Sequence, residues 1–303
     1  MQEEYAMNQS EIRKYEMSAT MERSDVFFMK ITESRYSIPF HWHNGIEIIC
    51  NLSGKVWVSL KDRTIELNEG EFFLVNIGTL HATKSTPGNI GILVEFPNEF
   101  LKKYIPDIEA CYYDINPHTT DRKIQTKLQI FFKILTDMDI IISIKPEDYM
   151  LRFNSLVFEM LFQLQHNFRI PMPERKTKTQ KKHEQRLSML IEYVYSHYRD
   201  PISIQEAANY VHLQPQYFCR FFKENMGISF LTFVNDVRLY YVYQELMSTN
   251  LPIGQIIAEN GFTNYATFRK LFDAKFHCTP KELRNSHPDV KMDFLITDNN
   301  TVL

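Results

Sequence analysis

Four residues in the first third of the chain have types suited to metal or ligand chemistry: His41, His43, Glu47 and His81. Imidazole nitrogens combined with a carboxylate oxygen suit a divalent transition metal. Residues 41, 43 and 47 share strand parity, so on one strand they would point together, with His81 approaching from another strand. Three readings fit the set: the polar lining of a small-molecule pocket, a bound metal, or side chains hydrogen-bonded to one another. A buried polar group needs a partner in each case. The pocket lining is the leading reading. Trp42, of opposite parity, is read as packing, and Trp57 is left open.

A second set lies near the C-terminal end. The stretches Ile202–Phe230 and Leu251–Pro280 resemble one another. Each has a short helix bearing an alanine (Ala207 or Ala208; Ala258), a tight turn, and a helix with two phenylalanines four apart. The pairs Phe218/Phe222 and Phe268/Phe272 each mark one buried helix face. The opposite faces carry Gln216, Arg220 and Lys223, and Asn264, Arg269 and Lys270. One packed face and one polar face is the logic of a helix-turn-helix entering the major groove. Arg and Gln suit base edges, and Lys suits phosphates.

The elements that must position these residues divide the chain. Its 303 residues suggest about two domains. Residues 1–23 are polar and read as an arm. From Asp25 to about Asn98, short apolar runs alternate with turn residues, the texture of a sandwich or barrel. Apolar steps of three or four predict a helix over Asp121–Met138 and a second from Pro146 to about Phe168. Ile140–Ile144 reads as a strand-sized apolar run. The stripe Met150, Phe153, Leu156, Val157, Met160, Leu161 and Leu164 fits packing on the barrel and a dimer interface equally well. Residues 171–186 (PMPERKTKTQKKHEQR) read as a basic linker. Beyond it, helices are expected at Leu187–Tyr198, Ser203–Val211 with a Ser203/Glu206 capping box, Pro215–Asn225, Phe230–Ser248, Ile253–Asn260, Asn264–Phe276 and Lys281–Asn285.

Charge follows the same division. Residues 174–287 carry 15 Lys and Arg against 11 Asp and Glu; residues 1–173 carry 18 against 23. A mildly basic segment on an acidic chain is compatible with DNA binding. The four scattered cysteines (Cys50, Cys111, Cys219, Cys278) form no CxxC pair and support neither a disulfide framework nor a cysteine zinc site. No window reaches membrane-helix length, and the acidic, polar N-terminus is not read as a secretory signal. The expectation is a reduced, cytoplasmic protein with no membrane partner.

The second half resembles the AraC/XylS family of transcription regulators over about Arg186–Asn285. The motifs carrying the likeness include Tyr217-Phe218-x-Arg220-x-Phe222-Lys223, Gly227-Ile228-Ser229, Arg238, Ile256-Ile257-Ala258, Gly261-Phe262 and Thr279-Pro280-x-x-x-Arg284. The resemblance implies two helix-turn-helix units joined by a long helix, Phe230–Ser248, on double-stranded DNA. Its base-facing positions match Gln216, Cys219, Arg220, Ala266, Arg269 and Lys270. Gln214, Tyr217, Lys223, Asn264 and Tyr265 complete the candidate DNA-binding set. His212 stands at a family glycine, Gln214 at a small helix-start residue, and His277 where a left-handed residue is needed. Asp273, in the place of Lys223, removes a phosphate contact from the second unit.

The pattern His41-x-His43-x-x-x-Glu47, six residues and then Gly54, with His81 in a second motif, is similar to the cupins, which are small double-sheet barrels. Asn76 stands where a proline is usual there, and Arg35 where a glycine is usual. The implied whole is an α+β two-domain protein. It has an arm (1–23), a cupin-like sensing barrel (24–120), dimerisation helices (121–170), a linker (171–186), an all-α double helix-turn-helix (187–287) and a tail (288–303). The implied function is a ligand-responsive activator of carbohydrate-utilisation genes, not an enzyme. It acts as a homodimer with a small-molecule effector, a sugar by resemblance, and with RNA polymerase as a further partner. No cofactor beyond the effector is required, and a divalent metal at His41, His43, Glu47 and His81 stays open. The alternatives are a metal-dependent cupin enzyme and a metal-sensing regulator.

Overall fold

A computed structural model describes residues 25–34, 37–171 and 178–285. The arm 1–23, Arg35 and the tail 288–303 lie outside the described residues. The chain forms two compact units that divide between His183 and Glu184.

The first unit is built on two four-stranded antiparallel sheets. One has the order β1 (Phe27–Ser34), β8 (Asn89–Pro97), β3 (Gly45–Ser53), β6 (Phe72–Val75). The other has the order β2 (Ser37–His41), β7 (His81–Ser85), β4 (Val56–Leu60), β5 (Thr64–Leu67). Strand β3 explains the arrangement. Residues 45–51, GIEIICN, are all buried, because both of the strand's faces are covered. Ile46, Ile48 and Cys50 belong to a large core shared with two helices, α2 (Arg122–Ile144) and α3 (Tyr149–Gln163). Ile49 packs with Val56, Val58, Leu67, Phe73 and Val75 in a smaller core between the sheets. Helix α1 (Asn98–Tyr104) follows β8.

On the helix side, Phe28 meets Phe153 edge-on at 5.8 Å, and Phe72 stacks on Phe131 at 4.9 Å. Each buried phenylalanine contributes roughly 1.5–3 kcal/mol by leaving water. The predicted stripe on α3 is therefore a packing stripe: Phe153, Leu156, Val157, Met160, Leu161 and Leu164 are all buried. A different set on the same helix, Leu151, Phe158 and Phe162, stays exposed.

Three expectations about helices change. Ile140–Ile144 is the end of α2, not a strand; the helix established upstream overrides the β-branched run. It stops at Lys145, which turns left-handed (φ 47°, ψ 56°) immediately before Pro146. The next helix begins at Tyr149, not Pro146, because Asp148 is also left-handed and Tyr149 N–H closes a turn onto Pro146. After α3 a π-helical turn (Leu164–Phe168) leads into β10 (Arg169–Pro171), which pairs with β9 (Cys111–Tyr113).

The basic linker is also shorter than expected. Helix α4 (Lys178–His197) takes in residues 178–186. No Gly or Pro follows Pro173 there, and Lys, Gln, Glu and Arg all favour helix. The rest of the second unit is α5 (Ile204–Tyr210), α6 (Pro215–Met226), α7 (Phe230–Ser248), α8 (Ile253–Glu259), α9 (Tyr265–Phe276) and α10 (Pro280–Asn285). The Ser203/Glu206 capping box is present in both directions.

Candidate functional site

Strand β2 ends at His41, and β7 begins at its register partner His81. Glu47 reaches the same place from β3 in the other sheet. His43 comes from the segment Trp42–Asn44, which is not strand. Shared parity is therefore not what gathers 41, 43 and 47, because the strand breaks between His41 and Gly45. The turn itself brings them together. Among the described residues, these four form the one His/Cys/Asp/Glu group whose candidate ligand atoms all lie within 4.8 Å of one another.

The geometry is tight. His43 Nε2 sits 2.6 Å and His81 Nε2 3.2 Å from Glu47 Oε2. The His41 and His81 rings are 4.2 Å apart at their centroids. Each Nδ1 donates to a backbone carbonyl: His41 to Pro39 at 2.9 Å, His43 to Gly45 at 3.1 Å and His81 to Thr79 at 2.9 Å. Burial, then the neighbouring His81, pushes His41 down to about 3. Burial alone would raise Glu47, but the contacts with His43 and His81 hold it well below the usual carboxylate range. The carboxylate is thus ionised, and its second oxygen, Oε1, is buried without a hydrogen-bond partner.

One neighbour escaped the sequence reading. Glu95 of β8 lies directly opposite Glu47 of β3, on the same sheet face; only the pairing register reveals it. Asn76 occupies the position of the usual cupin proline, and its side chain explains the departure. Its Nδ2 donates to Tyr113 O at 2.9 Å, and its Oδ1 accepts from Tyr113 N–H at 2.9 Å. One amide so clasps the loop before His81 to β9. Trp57, left open above, is part-buried and donates to Glu66 at 3.0 Å.

In the second unit, α6 and α9 carry the polar faces. Phe218, Phe222, Phe268 and Phe272 are fully buried, and Phe221, not singled out in the sequence, is buried too. Gln214, Gln216, Tyr217, Cys219, Arg220 and Lys223 are all exposed, and so are Asn264, Tyr265, Ala266, Arg269 and Lys270. Asp273 is exposed as well. The Arg220 guanidinium lies over the Tyr217 ring at 5.4 Å. Helix α6 opens with Pro215 and has no side-chain cap at Gln214, whereas Asn264 caps α9 through Thr267 N–H at 2.9 Å.

The repeat needs one correction. Ala258 is exposed; Ile256 and Ile257, both buried, occupy the places of Ala207 and Ala208. The turn bonds Leu213 N–H to Ala208 O and Phe262 N–H to Ile257 O show this match, and make the second turn one residue longer. His212 and Gly261 then correspond, at φ 54° and 78°. His277 ends α9 left-handed at φ 54°, as Gly227 ends α6 at φ 73°. All four cysteines are free, and Cys219 is exposed on α6. Among the described residues no helix is long and apolar enough to cross a membrane.

Two helix-turn-helix units with exposed polar rows, preceded by a two-sheet barrel with a converging polar cluster, define a DNA-binding regulator with a ligand-binding domain. Family models agree, one described as an AraC-like ligand binding domain over residues 28–138 and one as a helix-turn-helix domain over residues 207–286. The chain belongs to the AraC family of transcriptional regulators, not to a family of enzymes. It is similar to an uncharacterized HTH-type transcriptional regulator of Staphylococcus aureus, 22% identical over 85% of this chain and 34% of that protein. It is also similar to the regulatory protein PocR of Salmonella typhimurium, 28% identical over 44% of this chain and 48% of that one. The chain thus spans about a third of the length of the S. aureus relative. Among solved structures, apo ToxT of Vibrio cholerae is similar at 12% identity and TM-score 0.46, over 88% of this chain and 99% of that chain.

Proposed function

We propose that this regulator binds double-stranded DNA through α6 and α9 and that an effector in the barrel governs the binding. One observation supports the DNA contact above others. Each of the two helices buries its phenylalanine pair and turns a mostly polar row outward. Gln216, Arg220, Arg269 and Lys270 suit base edges and phosphates, and Gln214, Tyr217, Lys223, Asn264 and Tyr265 flank them. Cys219 and Ala266 offer small contacts between these.

The effector site in this reading is the barrel interior at His41, His43, Glu47 and His81. A sugar or sugar-derived metabolite is the effector class, and activation is the mode of control; family resemblance alone supports these two points. A homodimer joined through α2 and α3 is supported by Leu151, Phe158 and Phe162, which remain exposed on α3. Dimerisation would raise the effective concentration of the second DNA-binding unit. RNA polymerase is the further partner that activation would require.

Selection of double-stranded DNA from a random-sequence pool by the full chain tests the reading. An enriched motif is expected whose affinity falls at least tenfold in Arg269→Ala or Arg220→Ala, since a good bidentate base contact is worth roughly 1–3 kcal/mol. Enrichment of no sequence would defeat it. A thermal-shift panel of sugars and sugar phosphates on the same chain tests the effector. A ligand at a hundredfold excess over Kd stabilises by about 2.7 kcal/mol, which is readily seen.

A further inference from the structure

We propose that Tyr217 and Glu224 are positioning residues for Arg220: together they hold its guanidinium in one orientation, from which it reads a single base pair. The inference rests on the reading of α6 as a DNA-facing helix and deepens it. Arg220, Phe221 and Glu224 follow Tyr217 at three, four and seven residues, so the four lie along one side of α6. Phe221 is the fixed end, 1% exposed and set in the core. The Tyr217 ring stacks beside it, with centroids 6.3 Å and planes 26° apart. The Arg220 guanidinium carbon lies over the face of Tyr217, 5.4 Å from the ring centroid. From the next turn, Glu224 Oε1 stands 4.0 Å from Arg220 Nε.

An exposed arginine spans many rotamers, and a base contact must freeze one of them. A side chain already gathered between a ring and a carboxylate has less freedom to lose. The ring attracts the cation through its face. The carboxylate faces Nε, which leaves the terminal Nη pair to donate outward. That pair forms the end of the fork that meets O6 and N7 of a guanine. Glu224 taken alone opposes binding, because it is an exposed negative charge on a helix that meets a polyanion. Its contact with Arg220 supplies the reason for an acid there: it gives up some attraction to any DNA and fixes the group that tells one sequence from another.

The second unit lacks the device. Aligning Phe218 with Phe268 and Phe222 with Phe272 puts Thr267, Lys270 and Ala274 in the places of Tyr217, Arg220 and Glu224. Neither a ring nor a carboxylate stands at those places, and a lysine is a mobile point charge, not a planar fork. Tyr265, the aromatic residue nearest by, packs toward Phe268 instead, with centroids 6.1 Å apart. The base pairs under α9 are therefore an internal control for any change at Tyr217 or Glu224.

The test uses the full-length chain and a double-stranded DNA site that it selects from a random pool. Affinity is measured for that site and for each single base-pair change, with the unmutated chain and with variants. Arg220→Ala should abolish the preference at one base pair, which identifies the pair Arg220 reads. Tyr217→Ala should lower the preference at that same pair about two- to fivefold, the strength of an exposed cation–π contact, and leave the pairs under α9 unchanged. Tyr217→Phe keeps the ring and should restore the preference. Glu224→Gln should lower it too, while binding to unrelated DNA tightens. In an Arg220→Ala background neither change should alter base preference further. Additive effects of Tyr217→Ala and Arg220→Ala would overturn the proposal. So would a Tyr217→Phe variant no better than Tyr217→Ala, since the hydroxyl itself would then contact DNA. If Arg220→Ala shifts no base preference, the reading of α6 fails and the proposal with it. If Arg220→Ala does so but Tyr217→Ala is not coupled to it, the positioning role alone fails. Equal melting midpoints and unchanged α9 pairs separate these effects from a loss of fold.

Discussion

Gly261 leaves no room for a side chain. Its φ is 78°, and a Cβ there would stand 2.5 Å from Tyr198 O and 2.9 Å from Arg199 O. These carbonyls follow directly after α4, and Arg238 holds that segment by donating from Nε to Tyr198 O at 2.7 Å and from Nη2 to Asp200 O at 2.8 Å. Gly261→Ala should therefore destabilise the second unit by well over about 1 kcal/mol, read as a lowered midpoint in urea. An unchanged midpoint would mean that the contact relaxes freely. Glu245, nearby, is raised first by burial, while the Asn260 amide and Arg199 pull it down. A carboxyl raised on folding binds protons more tightly in the native state. It therefore favours folding at low pH, and that contribution fades as pH rises from the unfolded value through the folded one. Glu245→Gln should flatten the stability–pH curve just above the ordinary carboxylate range; an identical curve would show that Glu245 is not responsible. At the DNA face, Lys270→Ala should lower the salt slope of binding by about one and weaken all sequences alike. A loss of sequence preference instead would make Lys270 a base contact. The histidines at positions 212 and 277 were legible as substitutes for left-handed glycines. The partner of Asn76 was not, because nothing local in the sequence points to Tyr113.

Among the elements, α7 carries the boundaries the sequence suggested. Gly227 ends the helix before it, Ser229 caps it, and Thr249 closes it. Local chemistry decides such ends. Where distant packing decides, the sequence misled: the isoleucine run 140–144 looks like a strand until the helix upstream carries it along. The stripe on α3 was visible, but its partner was not, since a barrel and a second subunit demand the same apolar residues. The structure separates the two sets. Phe153→Ala should cost about 3–5 kcal/mol in the first unit. Leu151→Ser combined with Phe158→Ser, at exposed positions, should leave the fold intact and shift the chain toward monomer in sedimentation. Unchanged sedimentation would remove α3 from any subunit interface. The one-residue difference between the two turns was hidden by counting from the phenylalanines, which align whatever the turn length.

For the molecule as a whole, residue types announced both candidate sites, and topology explains how they are assembled. Four side chains from four segments meet because β2 and β7 pair at His41 and His81, the turn after β2 carries His43, and β3 brings Glu47 from the opposite sheet. Such a site exists only in the folded barrel, so whatever occupies it also stabilises the barrel. The Asn76 clasp adds something further. The loop it holds carries the carbonyl that orients His81, and the strand it holds pairs with Arg169–Pro171, the last described residues before the segment leading to α4. One amide thereby stands between the carbonyl that orients His81 and the strand whose partner ends at Pro171. Thermodynamic linkage has no direction. If a ligand of the first unit changes the affinity of the second for DNA, then an occupied operator must change the affinity for that ligand by the same factor. The operator would then act as an effector of the sensor.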